Sequence, residues 1–228
     1  AMSSAEKLVK SAVTKQEQIS LALAHLIALQ LVQEALKLLD KALPDNLSYH
    51  TKGHTLEVLR ESIRFAVTDG LSERELEMLA IAAAFHDTGF IRSPVANELI
   101  GAEFAREALQ RAGGFSTVEI ELVEQMILDT KLVELPAGPQ QIPSTKLSRY
   151  LLDADLSNLG RDDFFDKSEL LRQELGVEER SFRSRSLQVI AGHRWFTEAA
   201  QALGQKKKEE NLLLLRSIVA SESSDPAG

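Results

Sequence analysis

The chain contains no cysteine. Disulfides and thiolate metal sites are therefore excluded, and any transition-metal centre must be built from histidine and carboxylates. The absence also fits a reducing cytoplasm, which is the expected location. A surplus of positive charge is missing too: 26 Lys and Arg stand against 34 Asp and Glu, a formal charge of −8. A nucleic-acid scaffold would need a basic surface, so no nucleic-acid polymer is expected as a partner. A small anion held through a metal or a local basic patch stays open. Long apolar runs are lacking as well. The most lipid-like stretch, "ISLALAHLIALQLVQEALKLL", is broken by His25, Gln30, Gln33, Glu34 and Lys37. It falls short of the about 20 apolar residues a spanning helix needs, so no membrane partner is expected. No secretory signal is evident, and the opening "AMSSAEK" reads as an expression scar before a native start. No run alternates β-branched residues in the manner of a half-buried strand.

What is present is helical patterning along nearly all of 228 residues, with 44% hydrophobic and 26% charged content, ordinary for a globular chain. The pattern predicts an all-α fold. It reads as one helical domain over residues 31–220, an N-terminal helical extension over 1–30 and a frayed tail over 221–228. The first helical region runs from about Ser4 to Ala42 and stops at Pro44, as one helix or two. Its first half is apolar all round, which predicts packing in a bundle or a homodimer. "SERE" (Ser72–Glu75) and "STVE" (Ser116–Glu119) are capping boxes that open helices. Further helices are expected near His50–Asp69, Asn97–Ala112, Thr145–Asp155, Asp163–Leu175, Glu179–Leu203 and Lys206–Ala220. "VELPAGPQQIPS" holds three prolines and a glycine in twelve residues and reads as a loop, a flap beside a site.

Four ligand-type residues stand out: His54, His86, Asp87 and Asp155. His86-Asp87 ends the most apolar helix, and Asp155 ends another. Burying such groups unpaired is expensive. Two imidazoles and two carboxylates from three helices suit one divalent ion such as Mn, Mg, Fe, Co or Zn, and that ion would offset the cost. A polar cluster without an ion is the plainer alternative. His50 precedes His54 by four residues, which on a helix places both on one face. An imidazole there suits a proton donor to a leaving alkoxide. His25, alone on an apolar helix, reads as a packing residue, and His193 as a hydrogen-bonded structural one. Asp162 and Asp163 read as caps of the next helix, and "QKKKEE" (Gln205–Glu210) as a solvated helix start.

Taken together, "YHTKGHTLEVL", "AAAFHDTGF" and "LLDADLSNLG" resemble the HD-domain metal-dependent phosphohydrolases, in which a His, a His-Asp doublet and a distant Asp hold the metal in a helical fold. "YHTKGH" also resembles the start of the cyclic-nucleotide phosphodiesterases. The later pieces "LDTK" (Leu128–Lys131), "DADLSNLGRDDF" (Asp153–Phe164) and "HRWFT" (His193–Thr197) are similar to a bacterial subgroup of small HD proteins, so the likeness spans roughly residues 30 to 216. The resemblance implies hydrolysis of a small phosphoester, a nucleotide or cyclic nucleotide. It implies His54, His86, Asp87 and Asp155 as metal ligands, Asp87 or Asp155 as the group that orients water, and His50 as general acid. Lys131 and Arg161 would contact phosphate, although both also read as ordinary helix-end charges. The chain departs from the pattern at Asn97-Glu98, where many relatives carry His-Glu, at Phe90, where a variant has Lys, and at Thr51, where Asn is usual. These departures favour one metal over two, with Glu98 left as a weak second-ion contact. They also motivate an alternative: a metal-holding nucleotide-binding regulatory module with little turnover.

Overall fold

The computed structural model describes residues 13–224. Ten α-helices and one small hairpin make up the described residues, so the fold is all-α. In order these are α1 (Lys15–Ile27), α2 (Gln30–Ala42), α3 (Lys52–Thr68), α4 (Glu73–Phe85) and a 3₁₀ turn (Thr88–Ile91). Next come α5 (Asn97–Ala112), α6 (Thr117–Leu128), β1 (Val133–Leu135), β2 (Gly138–Gln140) and α7 (Lys146–Asp155). A second 3₁₀ turn (Ser157–Gly160), α8 (Phe164–Leu175), α9 (Glu179–Gly192) and α10 (Glu198–Ser224) complete the order.

Helix α4 is the hub. Ser72 and Glu75 form the expected capping box, and every side chain from Leu79 to Phe85 is buried. Four of those seven are not large: Ala80, Ala82, Ala83 and Ala84 let α2, α3, α6 and α7 close in on all sides. The large residues Leu79, Ile81 and Phe85 then contribute about 1.5–3 kcal/mol each by burial. The end of α4 is thereby fixed in position, and His86-Asp87 sits on that end.

The N-terminal region is two helices, with α1 and α2 meeting at 70°. No single described helix is long and apolar enough to cross a membrane. Thr14 and Glu17 form a capping box on α1, and Ile19 and Leu26 join the main core against α3. The extension thus packs into the same core as the helices after residue 30. His25 points to solvent and does no packing. Residues 4–12 of the expected first helix, and 225–228 of the expected tail, lie outside the described residues. The helix itself continues to Ser224, past the expected start of the tail at 221.

Three expectations are corrected downstream. The proline-rich loop contains a two-stranded antiparallel hairpin pairing Val133 with Gln140 and Leu135 with Gly138, whose φ of 117° suits glycine. The helix expected over Glu179–Leu203 breaks at His193–Thr197, and α10 starts at Glu198. The cause is Asp153. Its fully buried carboxylate accepts from the amides of Phe196 and Thr197 and from the Thr197 hydroxyl, which captures the free N–H groups of a new helix start. α10 then runs through Gly204 because the 3₁₀ turn packs there: a Cβ on Gly160 would lie 2.6 Å from the Gly204 carbonyl oxygen. Lys208, expected in a solvated helix start, is buried, with its ammonium donating to the His193 carbonyl at 2.8 Å. A second, smaller apolar cluster of Leu159, Phe164, Ile190 and Leu215 joins α8, α9 and α10.

Candidate metal centre

The three chain segments named by the sequence converge. His54 lies in the first turn of α3, where the Thr51 hydroxyl caps the helix by accepting from the His54 amide at 3.3 Å. Thr51 therefore fills a capping role. Asp155 is the last residue of α7, and Asp87 follows the end of α4. Both carboxylates occupy helix C-termini, where the backbone dipole is already negative. Such a site favours a cation.

Nε2 of His54 stands 3.2 Å from Asp155 Oδ1 and 3.5 Å from Asp87 Oδ2. Nε2 of His86 stands 3.1 Å from Asp87 Oδ2 and 3.5 Å from Asp155 Oδ1. The His86 Nδ1–H is committed to the Ala83 carbonyl at 2.7 Å, which turns Nε2 toward the cluster. Nε2 of His86 and Oδ2 of Asp87 are both buried and make no hydrogen bond among the described residues. The two atoms stand close to each other without a hydrogen bond between them, an arrangement that is costly when buried and that a charged guest between them would relieve. His54, His86 and Asp87 form a group whose ligand atoms could all reach one metal ion, a single such group among the described residues.

The electrostatics agree. Burial alone would lower the His86 imidazole, but Asp87 and Asp155 outweigh it and push it well up. Burial would raise Asp155, but His54 and His86 hold it far below the usual carboxylate range, and Asp87 is lowered by His86 in the same way. A proton on His86 thus occupies the electrostatic place a cation would take, and metal binding would compete with it.

The backbone of the doublet is clamped. A Cβ on Gly89 would lie 1.8 Å from the Asn97 carbonyl oxygen, and one on Gly101 would lie 2.9 Å from that of Phe85. Gly89 is needed for this close approach of α5. Asn97 itself is spent locally, donating through Nδ2 to the Pro94 carbonyl at 2.9 Å.

His50 is beside the cluster but precedes the cap of α3, so the expected i, i+4 helical relation does not hold. Its ring centroid is still 5.9 Å from that of His54. It stacks on Phe90 at 4.1 Å, and its Nδ1 meets a Glu174 carboxylate oxygen. The other oxygen of Glu174 accepts from the amides of Tyr49 and His50 at 2.6 and 2.9 Å. Burial works against a proton on His50, yet the Glu174 bond and the nearby Asp87 raise its pKa above the ordinary value.

Arg161 borders a narrow crevice shared with His54 and Asp155. Its guanidinium is engaged by Asp163 at 2.9 and 3.0 Å, Ser157 at 2.9 Å and Glu57 at 3.3 Å. Asp163 therefore pairs with Arg161 and makes no side-chain cap of α8, while Asp162 pairs with Lys207 at 2.8 Å. Lys131 is exposed and has no ion-pair partner among the described residues. His193 makes no contact with the four ligand-type residues and meets the Lys208 ammonium instead: burial first, and Lys208 second, push its pKa down to about 3.

Sequence reasoning missed two supporting residues. Gln141 donates through Nε2 to Asp155 Oδ2 at 2.7 Å and to the Thr130 carbonyl at 2.7 Å, fixing the carboxylate. Its segment is pinned in turn by Asp129, which accepts from the Ser144 amide and hydroxyl at 2.8 Å. Nothing local in the sequence marks Gln141. Glu174 did leave a signal: an acid in the last turn of α8 opposes the helix dipole and calls for a cationic or donor partner.

No protein-family model and no curated protein matches the chain. Solved structures do match. The chain is similar to a Lactobacillus plantarum protein whose crystal structure was determined as a structural-genomics target, with 16% identity and a TM-score of 0.62 over 86% of this chain and 96% of that one. At that identity the likeness shows a shared fold alone.

Proposed function

We propose that this chain is a metal-dependent phosphoester hydrolase of the HD type, working on a small-molecule substrate in the cytoplasm. The observation that carries the reading is the pair of orphaned, buried atoms, His86 Nε2 and Asp87 Oδ2, facing His54 and Asp155. These four residues would hold the ion. When bound, a divalent metal supplies positive charge that polarises a phosphoryl oxygen and acidifies water.

The chain's own residues supply the rest. His50 holds a proton on an imidazole oriented by Glu174 and by stacking on Phe90, and would give it to the departing ester oxygen. Asp87 or Asp155 would orient the attacking water. Gln141 keeps Asp155 in place. Nucleotides and cyclic nucleotides head the substrate list on the resemblance of "YHTKGH" and "AAAFHDTGF".

The assay is release of phosphate or alcohol from cyclic nucleotides, nucleoside monophosphates and bis(p-nitrophenyl) phosphate, with Mn, Mg, Fe, Co or Zn added in turn. Turnover that is lost in His50→Ala with metal content retained is the expected result. Bound metal with no turnover of any ester sinks the hydrolase reading. The regulatory alternative has one observation in its favour: Arg161, a cation beside the cluster, is already committed to Asp163, Ser157 and Glu57. Tight nucleotide binding without turnover, unaltered by His50→Ala, would favour it.

A further inference from the structure

We propose that the ester group this chain accepts is alkyl or aryl, and that it lies in the cavity between α8 and α9 beside the metal cluster. This rests on the hydrolase reading and, on the cavity's lining, puts a simple alkyl or aryl ester ahead of the nucleotides that the sequence resemblance suggests. The cavity measures 420 Å³, within the roughly 300–1,000 Å³ of small-molecule sites. Most of its lining is apolar, including Leu132, Leu156, Phe164, Leu171, Phe182 and Val189, while Tyr49, Asn158, Lys167, Arg185 and three serines are its polar members. Sugar hydroxyls placed among those apolar walls would lose their hydration with few partners in return. An apolar chain or ring gains by the same transfer.

The cavity adjoins a narrow crevice beside the candidate centre. Tyr49, Asn158 and Lys167 line both it and the crevice that contains His54 and Asp155. Leu156, in the cavity wall, directly follows Asp155. The Tyr49 ring lies 4.8 Å from that of His54. Where the two spaces meet, Asn158 Oδ1 is buried without a partner, ready to accept from a donor near the phosphate end. At the rim, Leu132, Leu175 and Val177 are 42%, 57% and 38% exposed, an apolar approach to the cavity.

Charge points the same way. The two cations lining the cavity are already paired, Lys167 with Glu57 at 2.7 Å and Arg185 with Glu134. Neither leaves surplus positive charge for a second or third phosphate, which suits a monophosphate ester better than a nucleoside polyphosphate. In the reaction, water supplies the oxygen that joins phosphorus. The bond from phosphorus to the ester oxygen breaks, and that oxygen departs protonated as the alcohol.

The test is calorimetric binding of ethyl-, butyl- and octylphosphonate, which cannot be hydrolysed, and of adenosine 5′-monophosphate to the full chain. Half-realised transfer of each methylene is worth about twofold, so affinity should rise about 60-fold from the ethyl to the octyl compound. Leu171→Asp and, as a variant less disruptive to folding, Ser186→Phe should both flatten that rise while melting cooperatively. Equal affinity for ethyl and octyl compounds overturns the proposal, as does tighter binding of the nucleotide or a chain-length dependence that survives both variants. The hydrolase reading fails separately: ester turnover without chain-length preference refutes only the cavity assignment, whereas chain-length-dependent binding without turnover of any ester refutes only the hydrolase.

Discussion

Replacing Asp153 with alanine separates the two aspartates of "DADL", one holding the fold and the other the site. Asp153 is fully buried and receives the Phe196 amide at 3.0 and 3.1 Å, the Thr197 amide at 2.9 Å and the Thr197 hydroxyl at 2.8 Å. The hydroxyl can rotate to another acceptor. The two backbone amides are fixed by the start of α10 and lose their partner. Each buried donor left unsatisfied costs about 1–3 kcal/mol, so the pair costs about 4 kcal/mol at the centre of that range. For a chain of this size each kcal/mol lowers Tm by about 2–4 °C, which gives a fall of about 8–16 °C. Circular dichroism during heating at neutral pH reads it directly. Asp153→Asn keeps the shape and one acceptor, and should fall by less. Metal stoichiometry should stay unchanged in both, because Asp153 faces α10 and not the cluster. A melting point within about 2 °C of the parent would refute the capping argument, and loss of metal without loss of stability would show that the two aspartates had been assigned the wrong way round.

Other outcomes follow from the same geometry. Gln141→Ala frees Asp155 and should weaken Mn²⁺ or Zn²⁺ binding about 10–100-fold in a metal titration, with little change in apo stability; unchanged affinity would remove Gln141 from the site. Glu174→Gln should cut kcat by up to about 10²–10⁴-fold and shift the alkaline limb of the rate profile to lower pH, because the carboxylate that keeps His50 protonated is gone. An unmoved limb would mean His50 is not the acid. His193 is held neutral, its pKa depressed from 6.5 to about 3 by burial and then by Lys208. Below pH 6.5 the unfolded chain gains a proton there that the folded one refuses, so stability falls as pH drops through that window, by at most about 1.4 kcal/mol per pH unit. Denaturant melts of His193→Gln should show a shallower acid decline than the parent, and identical slopes would contradict it.

The helical class was legible because apolar periodicity and capping boxes agree along the chain, as at Ser72 and Ser116. The convergence of His54, His86 and Asp87 was legible because an imidazole and a carboxylate at the end of an apolar helix are expensive without a reason to be there. What stayed hidden depends on contacts far apart in sequence. The break at His193–Thr197 is fixed by Asp153, more than forty residues earlier, a contact that no local reading of the segment can see. Gly204 reads as a helix end until the close approach of Gly160 is seen. Lys208 looks solvated within "QKKKEE", yet its partner is a carbonyl at the end of another helix. His50 shows the limit of spacing arguments: it reaches the cluster from a bend before the helix, and Glu174, which orients it, lies 124 residues away.

The most direct measurement is metal content of the protein purified without chelator and reloaded with Mn²⁺ or Zn²⁺, set beside His86→Ala. The account predicts one divalent ion per chain in the parent, a metal-dependent rise in Tm and release of protons on binding, with all three lost in His86→Ala. A parent chain that binds no divalent ion, and whose melting point is the same with metal, with chelator and without either, would contradict it.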